Sequence, residues 1–356
     1  MFGTRTHRRR RRAGAWFALT LALLAAAPLR ADDVPWLYDV QVPVADQSSS
    51  ARIEAGGRAL ALLLTRITGL ASVPRSEPVE RAMAAPDLYY SQFGFERAAD
   101  GGLLLSLQFV PDAVLRLVRE ARLPVWRANR PRVVAWIVVE DDGGERAVLG
   151  AASEHPVAQA VRERARQRGL PLQLPLMDLE DQLAVDPAAV WGRLSQTLLP
   201  ASERYGADIV LVGRLQQVPG GSWIGSWEFW VEGDVRYLNR QATEAADLGR
   251  DAADLVADEL AGRYAVIDRG VRQVEMAVSA LTGARAYADL LGYLGDLEFV
   301  DALVVTRVEG DKLWLSLVTP ADPEQLLALF RLDRRLFPNS LSATPGVALD
   351  LVWQRR

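Results

Sequence analysis

The sequence predicts an α/β and α+β protein of three modules, in which a central, mostly parallel α/β sheet domain is flanked by two small β-α-β-β-α modules. One observation behind this is that strand and helix patterns follow the same order at both ends of the chain. The other is that the middle alternates helical patterns with the apolar runs 133–139 and 209–212, which are typical of strands buried on both faces. The expected bounds are 32–128, 129–268 and 269–356, after a leader at 1–31.

The N-terminal module is predicted from an alternating strand, an amphipathic helix, a hairpin and a second helix. Serines before the first helix supply its N-cap, and Gly69 ends it. The Pro- and Ala-rich stretch that follows Gly69 is expected to be a loop. The predicted elements are a strand at 37–44, a helix ending at Thr68, strands at 89–97 and 103–109, and a helix at 111–122.

The C-terminal module repeats this order. The segments 103–107 (LLLSL) and 313–317 (LWLSL) share a form, which together with the element order predicts a duplicated module. A last strand then gives a β-α-β-β-α-β unit. The predicted elements are strands at 271–280, 301–308 and 313–318, helices at 284–297 and from Asp322 onward, and a strand at 347–353.

The middle of the chain carries the patterns of strands alternating with helices. Gly169 and the Asp186-Pro187 pair mark helix boundaries. The predicted strands are 132–140, 170–179, 207–213 and 226–237, and the predicted helices are 156–168, 186–205 and 245–264.

The first 31 residues resemble a secretory signal peptide. Arginines 8–12 precede an apolar segment of about 15 residues, which is short of the roughly 20 that a membrane-spanning helix needs. Ala31 is the small residue expected before the cut, so the mature chain is expected to begin at Asp32 in the periplasm. An uncleaved inner-membrane anchor is the alternative.

Composition excludes several classes of function. The chain has no cysteine, hence no disulfide, thiolate zinc site or thiol nucleophile. Its single lysine, Lys312, follows no phosphate-loop glycines. Without residues 1–31, which hold seven arginines, 34 basic residues face 45 acidic ones, a formal net charge of −11, so no nucleic-acid partner is expected. No cofactor is expected either.

Three segments carry a resemblance to a known family: 46–52 (DQSSSAR), 168–178 (RGLPLQLPLMD) and 205–214 (YGADIVLVGR). They resemble a proteobacterial exported family catalogued only as a domain of unknown function, number two-zero-six-six. The middle domain also resembles domains of periplasmic assembly factors of flagella and curli, through Gly206-Ala207-Asp208 and Gly213. The resemblance implies an exported protein and supplies no catalytic residue.

Four residues are candidates for binding. Asp178 and Asp181 lie in an acidic loop after a predicted strand, where ligand groups gather in parallel sheets; a helix-capping role is favoured over Ca²⁺ or Mg²⁺ binding. Glu228 with Asp178 is the carboxylate pair that a glycosidase would need on facing elements. Trp230 lies on the outer face of its strand, while Trp227 and Phe229 face the core, so it could anchor a protein or a glycan. No catalytic residue and no metal site is predicted.

These patterns favour a non-enzymatic periplasmic protein that binds an envelope protein and helps to assemble or position it. Peripheral association with a membrane is compatible with the arginines of 162–168 and 331–335. A carbohydrate-binding or carbohydrate-hydrolysing protein that uses Trp230, Glu228 and Asp178 is the alternative, with a glycan as partner.

Overall fold

The computed structural model describes residues 34–98, 101–231, 234–267, 270–340 and 344–354. The predicted leader, with its cleavage point between Ala31 and Asp32, lies outside these residues. Within them, three sheets and ten α-helices form a mixed α/β fold.

The first sheet lies near the N-terminus and is antiparallel throughout, with the strand order β1-β3-β2. Its elements are β1 (Asp39–Pro43), α1 (Ser49–Thr68), α2 (Glu77–Ala84), a 3₁₀ turn (Pro86–Leu88), β2 (Tyr90–Arg97), β3 (Leu103–Phe109) and α3 (Pro111–Glu120). As predicted, α1 begins where the Ser48 hydroxyl accepts the Ala51 N–H (3.2 Å) and ends at Gly69, whose φ is 70°. The expected loop after Gly69 contains α2, which an early proline and two acids in the first turn favour.

The second sheet belongs to the middle of the chain and has the strand order β5-β4-β7-β8-β9, with β6 beside β4. Its elements are β4 (Val133–Glu140), β5 (Arg146–Val148), α4 (Pro156–Gln167), β6 (Leu172–Gln173), α5 (Leu179–Ala184), α6 (Pro187–Trp191), α7 (Ser195–Glu203), β7 (Ile209–Gln217), β8 (Trp223–Val231), β9 (Asp234–Ala242) and α8 (Ala245–Tyr264).

This second sheet is mixed, which corrects the expectation of a mostly parallel one. Only β4–β6 and β4–β7 pair in parallel, whereas β4–β5, β7–β8 and β8–β9 are antiparallel. The connection between β7 and β8 is a short turn through Gly220 and Gly221, both with positive φ, and so short a link can join only antiparallel strands. The expectation of a single strand at 226–237 is also wrong. The chain forms two separate antiparallel strands there, β8 and β9, with two residues between them.

The helix expected at 186–205 is divided. Asp186 caps α6 as predicted, but the chain turns at Gly192 and at Arg193, whose φ is 54°, before α7 begins. A helix cannot continue through a residue in the left-handed region.

The third sheet is formed by the C-terminal part, with the order β11-β12-β10-β14-β13. Its elements are β10 (Arg272–Ser279), α9 (Gly283–Gly295), β11 (Ala302–Glu309), β12 (Lys312–Thr319), α10 (Pro323–Leu332), β13 (Leu336–Pro338) and β14 (Leu349–Trp353). β14 pairs in parallel with β10, and the other pairs are antiparallel. The short strand β13 was not predicted.

The first and third sheets share a strand order. β1-β3-β2 corresponds to β10-β12-β11, with antiparallel pairing throughout both triplets. The central serines of the two similar segments, Ser106 and Ser316, lie opposite Gln41 and Glu275 in the adjacent strand. That the two parts arose by duplication stays a prediction.

The layout of three separate modules is not confirmed. The first sheet has its own hydrophobic core with α1, but one continuous core extends from the second sheet through α8 into the third sheet. A smaller cluster lies on the other face of the second sheet, around Trp136.

Arg130 lies where these parts meet, and only 2% of it is exposed. Its guanidinium group donates hydrogen bonds to four main-chain carbonyl oxygens and lies 4.0 Å from the centre of the Trp126 ring. The acceptors are Arg127 (2.8 Å), Gly169 (2.6 Å), Arg66 (2.6 Å) and Trp126 (2.9 Å). One buried cation therefore joins the end of α1, the segment before β4 and the turn after α4.

Neighbouring polar groups extend this junction. Arg168 donates to Asp254 and Asp258 of α8 and to the Gly69 carbonyl (2.9 Å), which ties α4 to α8 and α1. Arg127 pairs with Glu298 (2.6 Å), which connects the same segment to the third sheet.

We expect Arg130→Met to lower the free energy of unfolding by at least about 3 kcal/mol, because three buried carbonyls and one half-buried carbonyl lose their donor, and each unsatisfied buried group costs roughly 1–3 kcal/mol. Urea denaturation followed by circular dichroism measures this. The matched control is Arg285→Met, whose side chain is 79% exposed, with an expected change below about 0.5 kcal/mol. Equal effects of the two substitutions would show that the junction is not a stabilising element.

Candidate binding site

A groove of about 810 Å³ runs between the outer face of the first sheet and α4, and we call it the β1–α4 groove. Its volume lies within the range of roughly 300–1,000 Å³ found for ligand sites. All five residues of β1, Asp39–Pro43, line it, and α4 contributes Glu163, Arg166 and Gln167. The groove follows from strand alternation, because every second residue of β1 faces the core and the residues between face outward.

The floor of the groove is a polar row across three strands. Gln41 of β1 donates from Nε2 to the Ser106 hydroxyl of β3 (3.0 Å), which donates to the carboxylate of Glu96 on β2 (3.0 Å). The exposed amide side chains of Gln92 and Gln108 also line the floor, and neither makes a hydrogen bond to another described residue through its side chain. The floor therefore offers donors and acceptors to a ligand.

The groove wall carries two guanidinium groups and an indole. The guanidinium carbons of Arg66 and Arg166 lie 5.5 and 5.1 Å from the centre of the Trp36 ring. Arg66 is buried, and burial together with the nearby Arg166 lowers its pKa to about 10. Arg166 is exposed, and no described carboxylate forms an ion pair with it, so it is the positive group available in the groove.

The predicted acidic loop is an ion-paired structural element. Arg204 of the α7 end binds both oxygens of the Asp178 carboxylate (2.9 Å each) and one oxygen of Asp181 (2.9 Å). The other Asp181 oxygen accepts the Met177 N–H (2.8 Å) and the Tyr205 hydroxyl (2.5 Å). Asp178 also caps α5, which agrees with the capping role favoured from the sequence. The loop carboxylates are thus occupied by groups of the chain itself.

The Arg204 hydrogen bonds, helped by the Asp181 main-chain N–H, lower the pKa of Asp178 from 3.8 to about 2. A lowered pKa means that the folded state favours the ionised carboxylate. This contribution to stability is complete above pH 4 and is lost as the pH falls toward 2.

Trp230 and Glu228 contact each other at the outer face of β8. The indole Nε1 donates to the Glu228 carboxylate (2.5 Å), and the other carboxylate oxygen lies 3.4 Å from the guanidinium group of Arg193. Trp230 is half-buried against the cluster around Trp136, whereas Trp227 and Phe229 are buried in the main core as expected. Asp178 pairs with Arg204 and Glu228 with Arg193, so the two carboxylates of the suggested glycosidase pair belong to different ion pairs.

Helix α4 begins at His155, whose Nδ1 accepts the Val157 N–H (3.2 Å). Burial lowers the pKa of His155, which favours the neutral imidazole that an acceptor requires. Arg164 binds Asp254 through both carboxylate oxygens (2.9 and 3.0 Å), so this helix is fixed to α8 and presents only its remaining side to the groove.

Among the described residues, no group of three or more His, Cys, Asp or Glu side chains is placed to hold a metal ion. No helix in the described part of the chain is long and apolar enough to cross a membrane.

Sequence reasoning missed the groove. Its residues come from five elements, β1, α1, β2, β3 and α4, and from Trp36, and no motif marks any of them. The available signal was the alternation of Asp39, Gln41 and Pro43 with buried valines in β1, which indicates an exposed polar face but not what lies opposite it.

Comparisons with known proteins give a partial assignment. Residues 31–127, which span β1 to α3, match the family described as Domain of unknown function (DUF8605). No curated protein matches the chain. This range includes every strand of the groove floor, while α4 lies outside it.

Solved structures give only weak likeness. A competence or damage-inducible protein from Enterobacter asburiae aligns with 14% identity over 37% of this chain and 86% of its own, with a TM-score of 0.21. A competence-damaged protein (CinA) superfamily protein from Enterobacter cloacae aligns with 11% identity over 37% of this chain and 81% of its own, also at 0.21. At these scores the likeness supports no conclusion about fold or function.

We expect Asp181→Ala to lower the free energy of unfolding by about 2–4 kcal/mol, because the Met177 N–H and the Tyr205 hydroxyl lose their acceptor, and the Asp181 side chain is only 1% exposed. Asp178→Ala removes an exposed cap and an exposed ion pair, and we expect a smaller loss. Urea denaturation at pH 7 measures both. A larger loss for Asp178→Ala than for Asp181→Ala would contradict the structural role assigned to Asp181.

Proposed function

We propose that the protein is an exported, non-enzymatic component of the cell envelope that binds a polypeptide partner in the β1–α4 groove and helps to assemble or position it. The groove is the observation that carries the proposal. It combines a suitable volume with polar groups that make no side-chain hydrogen bond or ion pair with another described residue, namely the amides of Gln92 and Gln108 and the guanidinium group of Arg166.

The contacts of the two candidate carboxylates support binding over catalysis. Asp178 and Glu228, the pair that hydrolysis of a glycan would use, are each held by an arginine. The resemblance to the exported family number two-zero-six-six, and that of the middle segment to assembly-factor domains of flagella and curli, supports the same function. In that segment, the Asp208 carboxylate accepts the Arg132 N–H (3.0 Å), and a Cβ on Gly213 would lie 2.2 Å from the Trp227 ring, so both motif residues serve the fold.

The organisation that we propose is in three parts, 32–128, 129–268 and 269–356, of which the first supplies the groove floor and the second its α4 wall. The first and third parts are proposed to be duplicates, supported by their common strand order.

A glycan ligand is the second candidate. The amide and carboxylate side chains of the groove floor are groups that can bind sugar hydroxyls. Two guanidinium groups lie over the Trp36 ring, however, and occupy the aromatic surface on which a sugar would stack. We therefore favour a polypeptide.

Export predicts a defined mature N-terminus. We expect the protein isolated from the periplasm to begin at Asp32, because Ala31 ends a segment with the features of a cleaved signal. Intact-mass spectrometry of the periplasmic and membrane fractions measures this. Full-length mass in the membrane fraction would instead establish the uncleaved anchor.

The groove predicts where a partner touches the protein. With the photo-crosslinker benzoylphenylalanine at Gln92 or Gln108, we expect one discrete polypeptide adduct in intact cells. The matched control is benzoylphenylalanine at Tyr237, 63% exposed on β9 and paired with Glu228 of β8. Adducts from position 237 alone would move the site to the Trp230 face, and a glycan adduct without a polypeptide would establish the second candidate.

A further inference from the structure

The edge of β1 that faces the groove has one residue whose main-chain N–H and carbonyl are both unpaired with any described residue. The Phe109 N–H of β3 donates to the Tyr38 carbonyl (3.0 Å), and the Val44 N–H donates to the Leu103 carbonyl of β3 (3.0 Å). Because antiparallel pairs alternate, the even-numbered residues of β1 face β3, and Asp39, Gln41 and Pro43 point to the open edge.

The two ends of this edge are already occupied. The Asp39 carbonyl accepts Arg66 Nη1 (2.8 Å), and the Asp39 N–H donates to Trp36 (3.1 Å). The Pro43 carbonyl accepts Arg58 Nη2 (2.8 Å), and proline has no N–H. Gln41 alone therefore presents both an N–H and a carbonyl to the groove.

Helix α1 matches this pattern. Arg58, Leu62 and Arg66 are spaced four residues apart and lie in one stripe along α1. Its arginines reach the two ends of the β1 edge, and between them half-buried Leu62 lines the groove. An apolar side chain thus lies at the level of the unpaired residue.

The third sheet shows what occupies the corresponding edge there. If Ser106 is aligned with Ser316, Gln41 corresponds to Glu275, because each lies opposite its serine. The Glu275 carbonyl accepts the N–H of Ala348 (2.7 Å), at the start of β14, which then pairs in parallel with β10. In the first sheet the position beside β1 belongs to the groove.

We propose that the β1–α4 groove binds a short extended segment of the partner protein, which adds as a strand to β1 in the position that β14 takes beside β10. The inference rests on the proposed function and specifies how the partner is held. The main-chain N–H and carbonyl of Gln41 pair with the segment, which is a known mode of peptide recognition.

The groove also specifies the chemistry of the segment. Side chains of an added strand alternate between two sides. One side meets half-buried Leu62 of α1, and the other meets the polar floor and Arg166. The segment therefore alternates apolar and polar residues and carries an acidic residue opposite Arg166.

The test selects peptides from a random twelve-residue library displayed on phage, with the purified protein as target. We expect selected peptides to alternate apolar and polar residues with a conserved acid. Hydrogen exchange of the Gln41 amide, followed by NMR, is expected to slow at least tenfold when a selected peptide binds, because the open N–H becomes bonded. Unchanged exchange at Gln41 in a saturated complex, or failure to select any peptide, would overturn the proposal.

Two substitutions at one position separate main chain from side chain. Gln41→Ala removes the side chain but keeps the N–H, so its affinity measures the share of the side chain alone. Gln41→Pro removes the N–H as well, and we expect it to bind the peptide at least tenfold more weakly than Gln41→Ala. Proline is tolerated on edge strands, and if Gln41→Pro fails to fold the exchange measurement on the unaltered protein decides. Equal affinities of the two folded variants would overturn strand addition.

A groove crosslink to a polypeptide without protection of the Gln41 amide from exchange would refute only this inference and leave the proposed function standing.

Discussion

The structure depends on one buried cation, Arg130. Burial lowers its pKa to about 9, yet no carboxylate in the described part of the chain hydrogen-bonds to it, and four main-chain carbonyls replace its water shell. A charged group removed from water is costly unless its donors are all used, so the four carbonyls must keep their relative positions. Because these carbonyls belong to the end of α1, the segment before β4 and the turn after α4, the constraint fixes α1 against α4. Those two helices are the walls of the groove, so its width is set by a residue outside it.

Local signals predicted the elements that local chemistry controls. Capping serines and Gly69 gave α1, continuous apolar runs gave β4 and β7, and the pattern of α8 gave its full extent. The errors lie where distant partners decide. An apolar run indicates burial on both faces but not the direction of its neighbours, so β4 and β7 were predicted correctly while the sheet around them was taken as mostly parallel.

The same difference between local signals and distant partners explains why the candidate residues were judged incompletely from the sequence. Asp178, Asp181, Glu228 and Trp230 were singled out by residue type, which does not show which groups of the chain pair with them. The arginine partners of the carboxylates, Arg204 and Arg193, are remote from them in sequence, and Arg193 lies in the break between α6 and α7 that was not predicted. A carboxylate that is paired with an arginine is a structural group and is not free to bind a ligand. The opposite holds for the groove. Gln41 and Arg166 do not stand out in the sequence, and only their positions in the structure make them candidates for binding.

The closed ends of the β1 edge could be taken as protection against strand addition, since natural proteins shield edges with proline and with charged residues. Complete protection would leave no open pair, however, and α1 places Leu62, not a third arginine, between Arg58 and Arg66. Capped ends also limit the length of an added strand, since neither Asp39 nor Pro43 has a free N–H to extend the ladder. A fully open edge pairs with almost any extended chain, whereas one open residue above an apolar side chain makes affinity depend on the side chains of the segment. Arg58, Arg66 and Pro43 thereby restrict strand addition to one residue of the edge, which makes the site selective.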